Sequence, residues 1–434
     1  MDPRSNERAR PALHGLVTAA RALALALAPL SLVGAVAGGL LRACTAPPPP
    51  TLPAWLTAAA LAHAALMICG FLGTIVALER AVAVGQRNDR PGPRSTADSP
   101  REGESDLSPS SGWTRACERL APERPSAAAA AFLAPLASGL GGALLLAGHA
   151  RAGAWAMVAA AAAFVVVNIV LVRRQRAPHT WLLLAGAVAW LVGSALYAGG
   201  ASGPVLLPWW FAFLVATIAA ERLEMTRLTG RGPAVERSLR LVMATLFGGA
   251  AVAGFSAPMG AALFGTALVL LAAWLFLNDV ARRTLFAHGL ARYMAVCLLT
   301  GYGWLAAAGI GWIGLGAGLP LHDLALHALG LGFVVSMMMA HAPVILPAVA
   351  RVKLRFGWPF YLPLAALHVS LVVRLGFGAS DMLVRGLGAA LNAASLALFA
   401  ATIAGAILAW RLMRAGAEAA RAGAKRPRAH PRPH

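Results

Sequence analysis

Apolar residues in this chain are gathered into long runs that are separated by short polar segments. A run of about 20 apolar residues crosses a hydrocarbon core of about 30 Å as an α-helix, because each residue adds about 1.5 Å. Twelve such runs predict an all-α, polytopic transmembrane helical bundle with about 12 spans. The predicted spans are residues 20–42, 55–79, 128–148, 153–172, 180–199, 204–221, 238–256, 259–278, 289–315, 323–345, 358–376 and 384–410. The first run is long enough to cross a membrane, so we interpret it as a span and not as a cleaved signal peptide.

The polar segments between the runs differ in charge, which predicts an orientation. Every second segment is rich in arginine, and the segments between them are almost uncharged. Because basic loops stay on the cytoplasmic side, this alternation places both termini in the cytoplasm. The basic segments are residues 80–124, 173–176, 221–240, 279–292, 351–355 and the tail from Arg411.

Composition narrows the class of protein further. With 59% hydrophobic and only 12% charged residues, the chain carries more apolar surface than one soluble core can bury, so the expected surroundings are a lipid bilayer. The formal net charge is +20, but the basic residues lie in short loops and form no single face, so we expect no nucleic acid partner. The four cysteines show no CxxC spacing and predict neither a thiolate metal site nor a disulfide framework.

The same pattern divides the chain into membrane and polar parts. Residues 1–84 form an N-terminal cytoplasmic tail with spans one and two, and residues 127–410 complete a single transmembrane domain with spans three to twelve. The segment 85–126 is rich in Pro, Ser and mixed charge, which predicts a disordered cytoplasmic loop. Residues 411–434 form a basic cytoplasmic tail.

A short motif occurs near the cytoplasmic ends of two spans. Glu79 and Arg80 end span two, and Glu221 and Arg222 end span six, each pair eight residues after a Phe-Leu dipeptide. We interpret them as structural ion pairs at helix ends, where charged side chains can pair or reach the interface. A proton or ion path is the alternative.

Histidines are the most informative polar residues inside the spans. His63, His327 and His368 all fall in the outer half of the predicted membrane, on three different spans, and we expect them to meet there. His341 follows His327 by 14 residues, which in an unbroken α-helix puts it on the same face about 21 Å deeper. His149, His179, His288 and His322 are predicted to be loop residues and need no special role.

These histidines have neighbours that suit a metal or haem site. Imidazole ligates haem iron and copper, and Met67, one turn after His63, offers a thioether to either metal. Asp323 lies one turn before His327 and can fix its tautomer, and Arg374 is placed to pair with haem propionates. The expected metal ligands are therefore His63, Met67, His327, His341 and His368, with Asp323 and Arg374 in support. The alternative for each histidine is a hydrogen-bonded packing residue.

Several segments resemble an uncharacterised group of bacterial twelve-helix membrane proteins that is distantly similar to the NnrS family. The strongest are HAALMICGFLGTIVALERAVA (63–83), FLVATIAAERLEMTRL (213–228), ARRTLFAHGLARYMAVCLLTGYGWLA (281–306), HALGLGFVVSMMMAHAPVILPAV (327–349) and FYLPLAALHVSLVVRLG (360–376). The NnrS family is associated with denitrification and nitric-oxide stress, and its members are described as membrane proteins that contain haem and copper. This chain lacks the Leu-Gly-His-Thr-Gly-Arg stretch expected after the His-Ala-Leu block, and has His341-Ala342-Pro343 earlier instead.

The resemblance implies a haem-binding, and in part copper-binding, protein of the bacterial cytoplasmic membrane, linked to respiration or nitrogen-oxide stress. A diatomic gas such as NO is the ligand it implies, and a redox or assembly partner stays open, as does catalysis. Two other classes remain as alternatives: a secondary transporter, which twelve spans and two similar halves would suit, and a structural or assembly factor without a cofactor.

Overall fold

The computed structural model describes residues 3–44, 52–86, 129–201, 203–227 and 232–424, and these residues form helices and connecting turns without a strand. The chain is thus an all-α, polytopic helical protein, as its hydrophobic pattern predicts. Contacts divide it into two compact units, Met1–Glu224 with Ala250–Ala257 and Met225–Gly249 with Pro258–His434. The predicted disordered loop 85–126 lies outside the described residues from position 87 onward, and so does the end of the predicted tail, 425–434.

The helices in the first part of the chain are α1 (Pro3–Cys44), α2 (Ala54–Leu61), α3 (His63–Ala65), the π-helix π1 (Leu66–Gly73), α4 (Thr74–Gln86), α5 (Leu133–Leu146), α6 (Ala150–Arg174), α7 (Pro178–Ala198) and α8 (Gly203–Arg227). Those in the remainder are α9 (Pro233–Val252), α10 (Ala257–Asn278), α11 (Ala281–Thr284), α12 (Gly289–Gly316), α13 (His322–His327), the π-helix π2 (Ala328–Val335), α14 (Ser336–Ala350), the 3₁₀ turn Trp358–Phe360, α15 (Tyr361–Leu371), the π-helix π3 (Val372–Gly376), the 3₁₀ turn Phe377–Ala379 and α16 (Met382–Ala424).

Eleven described helical segments are long and apolar enough to cross a membrane, and each matches one predicted span. The predicted span 238–256 corresponds to α9, which is not among the eleven. Glu236, Arg237 and Arg240 occupy its first two turns and shorten its apolar part. The tenth span also departs from the prediction, because its helix continues through Pro343 and Pro347 to Ala350.

Whether α9 crosses the bilayer decides the topology, because it sets the parity of the crossings. If α9 spans, both ends of the chain lie in the cytoplasm, as the charge pattern predicts. Fusions of a periplasm-dependent reporter enzyme to residue 1 and to residue 434 are then both expected to be inactive, and a fusion in the uncharged turn at Ala201 active. Opposite activities at the two ends would show eleven crossings.

The core of the first unit is built around π1, in which every residue except Met67 is buried. The Trp190 indole donates to Cys69 Sγ at 3.4 Å, and the Ser138 hydroxyl donates to the Cys69 carbonyl at 2.7 Å. Trp190 also stacks on Phe213 with ring centroids 4.8 Å apart. Gly73 makes the close approach possible, because a Cβ there would lie 2.7 Å from the Trp190 ring. The π segment is therefore held by tight contacts with α5 and α7.

The core of the second unit lies between α12, the π2–α14 helix, α15 and α16. It contains Tyr293 and Cys297 of α12, packed with Met339, Leu367 and other buried apolar side chains. Gly332 in π2 allows close packing against Trp304, because a Cβ at this position would lie 2.5 Å from the Trp304 ring. Next to this core lie the polar residues of α13, α15, π3 and α16 that form the candidate site of this unit.

Candidate functional site

His63 begins α3 in the first unit, and its ring lies against α1. Its Nδ1 is 2.7 Å from the carbonyl oxygen of Ala35, which can only accept, so Nδ1 carries the hydrogen and Nε2 the lone pair. Gly39 on α1 allows this approach, because a Cβ there would lie 2.7 Å from the His63 Cε1. The backbone thus holds the tautomer that a metal-ligating imidazole uses through Nε2.

A π-helix starts three residues after His63 and changes its expected relation to Met67. The sequence predicts that Met67 follows His63 by one regular α-helical turn. In the structure Met67 lies inside π1, so the segment between the two residues is not a regular α-helix. Extra residues in a helical turn often mark functional positions, because they rotate the side chains on either side relative to one another. Whether Met67 and His63 share a ligand stays a prediction.

Asp323, His327 and Arg374 form a polar group in the second unit, in which Arg374 is buried and the other two side chains are partly exposed. Asp323 Oδ1 lies 2.8 Å from His327 Nδ1, which is the contact that their four-residue spacing predicts. Arg374 reaches the same carboxylate from π3 in a forked arrangement, with Nη2 2.7 Å from Oδ1 and Nε 3.0 Å from Oδ2. Such a two-pronged pair is the strong form of the arginine–carboxylate contact.

A second set of contacts holds Arg374 against α16. Its Nη1 lies 3.5 Å from Asn392 Oδ1, and the Asn392 amide donates to the Ser370 hydroxyl at 2.6 Å. Gly388 lets α16 come this close, because a Cβ there would lie 2.5 Å from the Arg374 Cβ. The guanidinium is thereby fixed from both sides and is only 11% exposed.

These contacts bear on the two roles expected of Arg374 and His327. Arg374 was expected to pair with a haem propionate, and in the structure it pairs with Asp323. Its Nη2 lies 3.1 Å from His327 Nε2, the nitrogen that a metal would use once Nδ1–H faces the carboxylate. His327 therefore suits a metal ion only if the guanidinium moves away.

His368 is bonded to a different neighbour. The Trp304 indole donates to His368 Nδ1 at 2.9 Å, and the two rings are nearly parallel. An indole nitrogen can only donate, so Nδ1 is the acceptor and the hydrogen of the neutral imidazole sits on Nε2. Nε2 is buried and has no hydrogen-bond partner in the described part of the chain. In this conformation His368 offers a hydrogen-bond donor, and ligation through Nε2 would require loss of the Trp304 hydrogen bond.

His341 is fixed like His63, with Nδ1 2.7 Å from the Met337 carbonyl. Its predicted place on the face of His327 assumed an unbroken α-helix, and that assumption is wrong. The eight residues of π2 lie between the two histidines. A π-helix bonds residue i to i+5, so an angular count based on 3.6 residues per turn does not apply.

The described residues hold no group of three or more His, Cys, Asp or Glu side chains that could bind a metal ion. His327 and His368 belong to one unit and contact different partners, and His63 belongs to the other unit. The expected meeting of the three imidazoles stays a prediction. Each histidine is therefore considered on its own tautomer and contacts.

The two Glu-Arg motifs are joined in the first unit. Arg80 Nη2 of α4 lies 3.3 Å from Glu221 Oε1 of α8, and both side chains are largely buried. His179, expected in a loop without a special role, lies in the first turn of α7, is 4% exposed and has Nε2 3.9 Å from Glu224. The predicted loop position of His179 is wrong because α7 already starts at Pro178. Proline is favoured as the first residue of a helix, but a search for apolar runs does not detect it.

At the site of the second unit, sequence reasoning missed three residues with polar contacts: Trp304, Ser370 and Asn392. Each lies in an apolar run and is neither charged nor a usual metal ligand, so only its neighbours show its role. Asn392 in the last span was the one available signal, since a buried amide in a lipid-facing helix needs a partner.

Comparison with known proteins places the chain in a family. Residues 21–408 match the family model described as a domain of unknown function, DUF8744. The chain belongs to the DUF8744 family. No curated protein and no solved structure matches it. The match covers the helices from α1 into α16, so His63, the Asp323–His327–Arg374 group and both Glu-Arg motifs all lie within the DUF8744 region.

Proposed function

We propose that this DUF8744 protein is an integral membrane haem protein with an imidazole ligand, of NnrS-like type and linked to respiration or nitrogen-oxide stress. The observation that carries the proposal is the hydrogen bond from His63 Nδ1 to the Ala35 carbonyl. A ligating histidine commonly donates its second ring nitrogen to a carbonyl or carboxylate, which fixes the ring and raises the basicity of the ligating nitrogen. His63 is thus the foremost candidate for the axial ligand.

His327 supports the proposal through its carboxylate partner, which is the stronger of the two known ways to orient such a ring. Arg374 lies at its Nε2, so this histidine is the candidate that depends on a rearrangement. His368 contributes a buried N–H donor, which suits the hydrogen bonding of a bound ligand. The proposal is made for haem, which a single imidazole can hold, and the described residues contain no group of three or more His, Cys, Asp or Glu side chains that would favour a separate metal ion.

The residues define what the protein itself would contribute. The helix of Ala35 and Gly39 would orient the imidazole, and the apolar helices would keep water out. Asp323 and Arg374 would place one negative and one positive charge side by side, so the pair adds no net charge to the membrane interior. A bound haem would supply the reversible binding of a diatomic gas or the passage of an electron.

The test is the absorption spectrum of full-length protein purified in detergent from iron-supplied cells, with the pyridine haemochrome assay for haem content. We expect a haem band in the wild type and its loss in His63→Ala. Gly39→Ala should weaken or shift the band, because the new methyl group meets the imidazole. Imidazole added to His63→Ala should restore part of the band, which a purely structural role of His63 would not produce.

Two matched variants separate ligation from general damage. His322→Ala removes an exposed histidine, and Gly15→Ala adds a methyl group to the same helix as Gly39 where nothing lies within 4 Å. Both should keep the spectrum of the wild type. A colourless preparation, or full haem content in His63→Ala, would overturn the proposal.

A secondary transporter is the second candidate, and the Arg80–Glu221 contact favours it. Ionisable pairs inside transmembrane helices often belong to ion or proton paths, and this pair joins the two repeated Glu-Arg motifs. Proton flux into liposomes that contain the protein, lost in Glu221→Gln, would support transport. It would be tested next if the purified protein holds no haem.

A further inference from the structure

The turn between α10 and α12 forms a cavity of about 680 Å³ in the second unit. Its lining combines two arginines and one aspartate with apolar side chains: Phe276, Leu277, Asp279, Arg282, Arg283, Leu285, Phe286 and Leu299. Phe286 is 83% exposed and Leu277 64% exposed, which in an aqueous surface would be costly. The cavity therefore offers an apolar wall and a basic wall to the same ligand.

The turn is held in shape by Asp279, which is 2% exposed. Its Oδ1 accepts from the Ala281 backbone N–H at 2.8 Å, and its Oδ2 accepts from the Tyr302 hydroxyl at 2.8 Å. These bonds fix the start of the short helix α11, which carries both arginines. The carboxylate turns inward to these donors, whereas the Arg282 and Arg283 side chains are exposed.

The position of the cavity along the chain sets its depth. One apolar span ends at Asn278 and the next begins at Gly289, so the cavity lies where the hydrocarbon core gives way to the headgroup layer. It belongs to the basic segment 279–292, on the side predicted to be cytoplasmic, where anionic lipids are concentrated. Arg282 also lies over the Phe276 ring, 5.2 Å from its centroid, which draws its charge toward the end of the apolar span.

We propose that this cavity binds an anionic phospholipid, with Arg282 and Arg283 at the phosphate and the acyl chains along Leu277 and Phe286. Arginine pairs phosphate oxygens in a fork, and the adjoining apolar side chains match the acyl chains of the same molecule. The site is independent of the proposed haem ligand, because it shares no residue with His63 or with the Asp323–His327–Arg374 group.

The test uses native mass spectrometry of the full-length protein in a neutral detergent, titrated with phosphatidylglycerol or phosphatidylcholine. We expect preferential retention of phosphatidylglycerol, weakened roughly 10-fold or more in Arg282→Gln/Arg283→Gln. Arg237→Gln/Arg240→Gln removes the same charge from exposed positions of α9 outside the cavity and should leave retention unchanged. The elution profile on size exclusion checks that each variant is folded.

Two further arms define the ligand. Inorganic phosphate and glycerol phosphate should compete weakly, because they lack the acyl chains, and Phe286→Ser should weaken lipid binding with both arginines present. Equal retention of the two lipids, or unchanged retention in the double arginine variant, would overturn the proposal. Competition by inorganic phosphate at the concentration of the lipid would show a phosphate site without a lipid role and would also overturn it.

Discussion

Replacing Arg374 by glutamine is expected to lower the free energy of unfolding by about 3–5 kcal/mol. The side chain is 11% exposed and holds the Asp323 carboxylate with two hydrogen bonds, at 2.7 Å and 3.0 Å. Glutamine removes the positive charge and leaves the partly buried Asp323 carboxylate with His327 as its remaining partner. The cost of holding that charge without the guanidinium is the physical reason for the loss. A denaturant titration in mixed micelles, followed by tryptophan fluorescence, measures it.

The chain contains a matched control for this experiment. Arg414 and Glu418 form an ion pair with the same closest distance, 2.7 Å, but their side chains are 62% and 63% exposed. Arg414→Gln should cost at most about 0.5 kcal/mol, because water replaces the lost contact. The double variant Asp323→Asn/Arg374→Gln should recover much of the stability lost in Arg374→Gln. If Arg374→Gln were no more destabilising than Arg414→Gln, the buried pair would not hold this part of the fold.

Replacing Arg80 by glutamine is expected to have an effect of similar size in the first unit, about 3–5 kcal/mol. Arg80 and Glu221 are 11% and 15% exposed and lie 3.3 Å apart, so the substitution leaves a largely buried carboxylate without its cation. The loss should appear as a lower unfolding temperature of the purified protein, followed by the reaction of a thiol dye with the buried cysteines Cys69 and Cys297.

Arg173 provides the comparison, since it is an exposed arginine at the end of α6 in the same unit. Arg173→Gln should change the unfolding temperature little. The exchange Arg80→Glu/Glu221→Arg keeps one charge of each sign and should restore at least half of the loss. An exchange variant as unstable as Arg80→Gln would mean that Arg80 stabilises the protein through other contacts.

The π-helices π1 and π2 show why part of the site escaped prediction. Both follow a histidine of interest, and both are apolar sequences that an α-helix would accommodate equally well. Whether the backbone N–H of each residue bonds to the carbonyl four or five residues earlier depends on the side chains that pack against the segment. In π1, Trp190 and Ser138 contact Cys69 in this way. Across a π-helix, the angle between two side chains cannot be calculated from 3.6 residues per turn. The predicted common face of His327 and His341 was wrong in its assumption for this reason.

The sequence by itself determined the helical class, the position of eleven apolar spans and the contact of Asp323 with His327. These features are local: about 20 apolar residues suffice for a span, and four residues make one turn. Only the tertiary structure decided that Arg374 pairs with Asp323, that Arg80 pairs with Glu221 and that Trp304 sets the tautomer of His368. Those choices depend on which helices are neighbours, and no residue pattern within one helix contains that information.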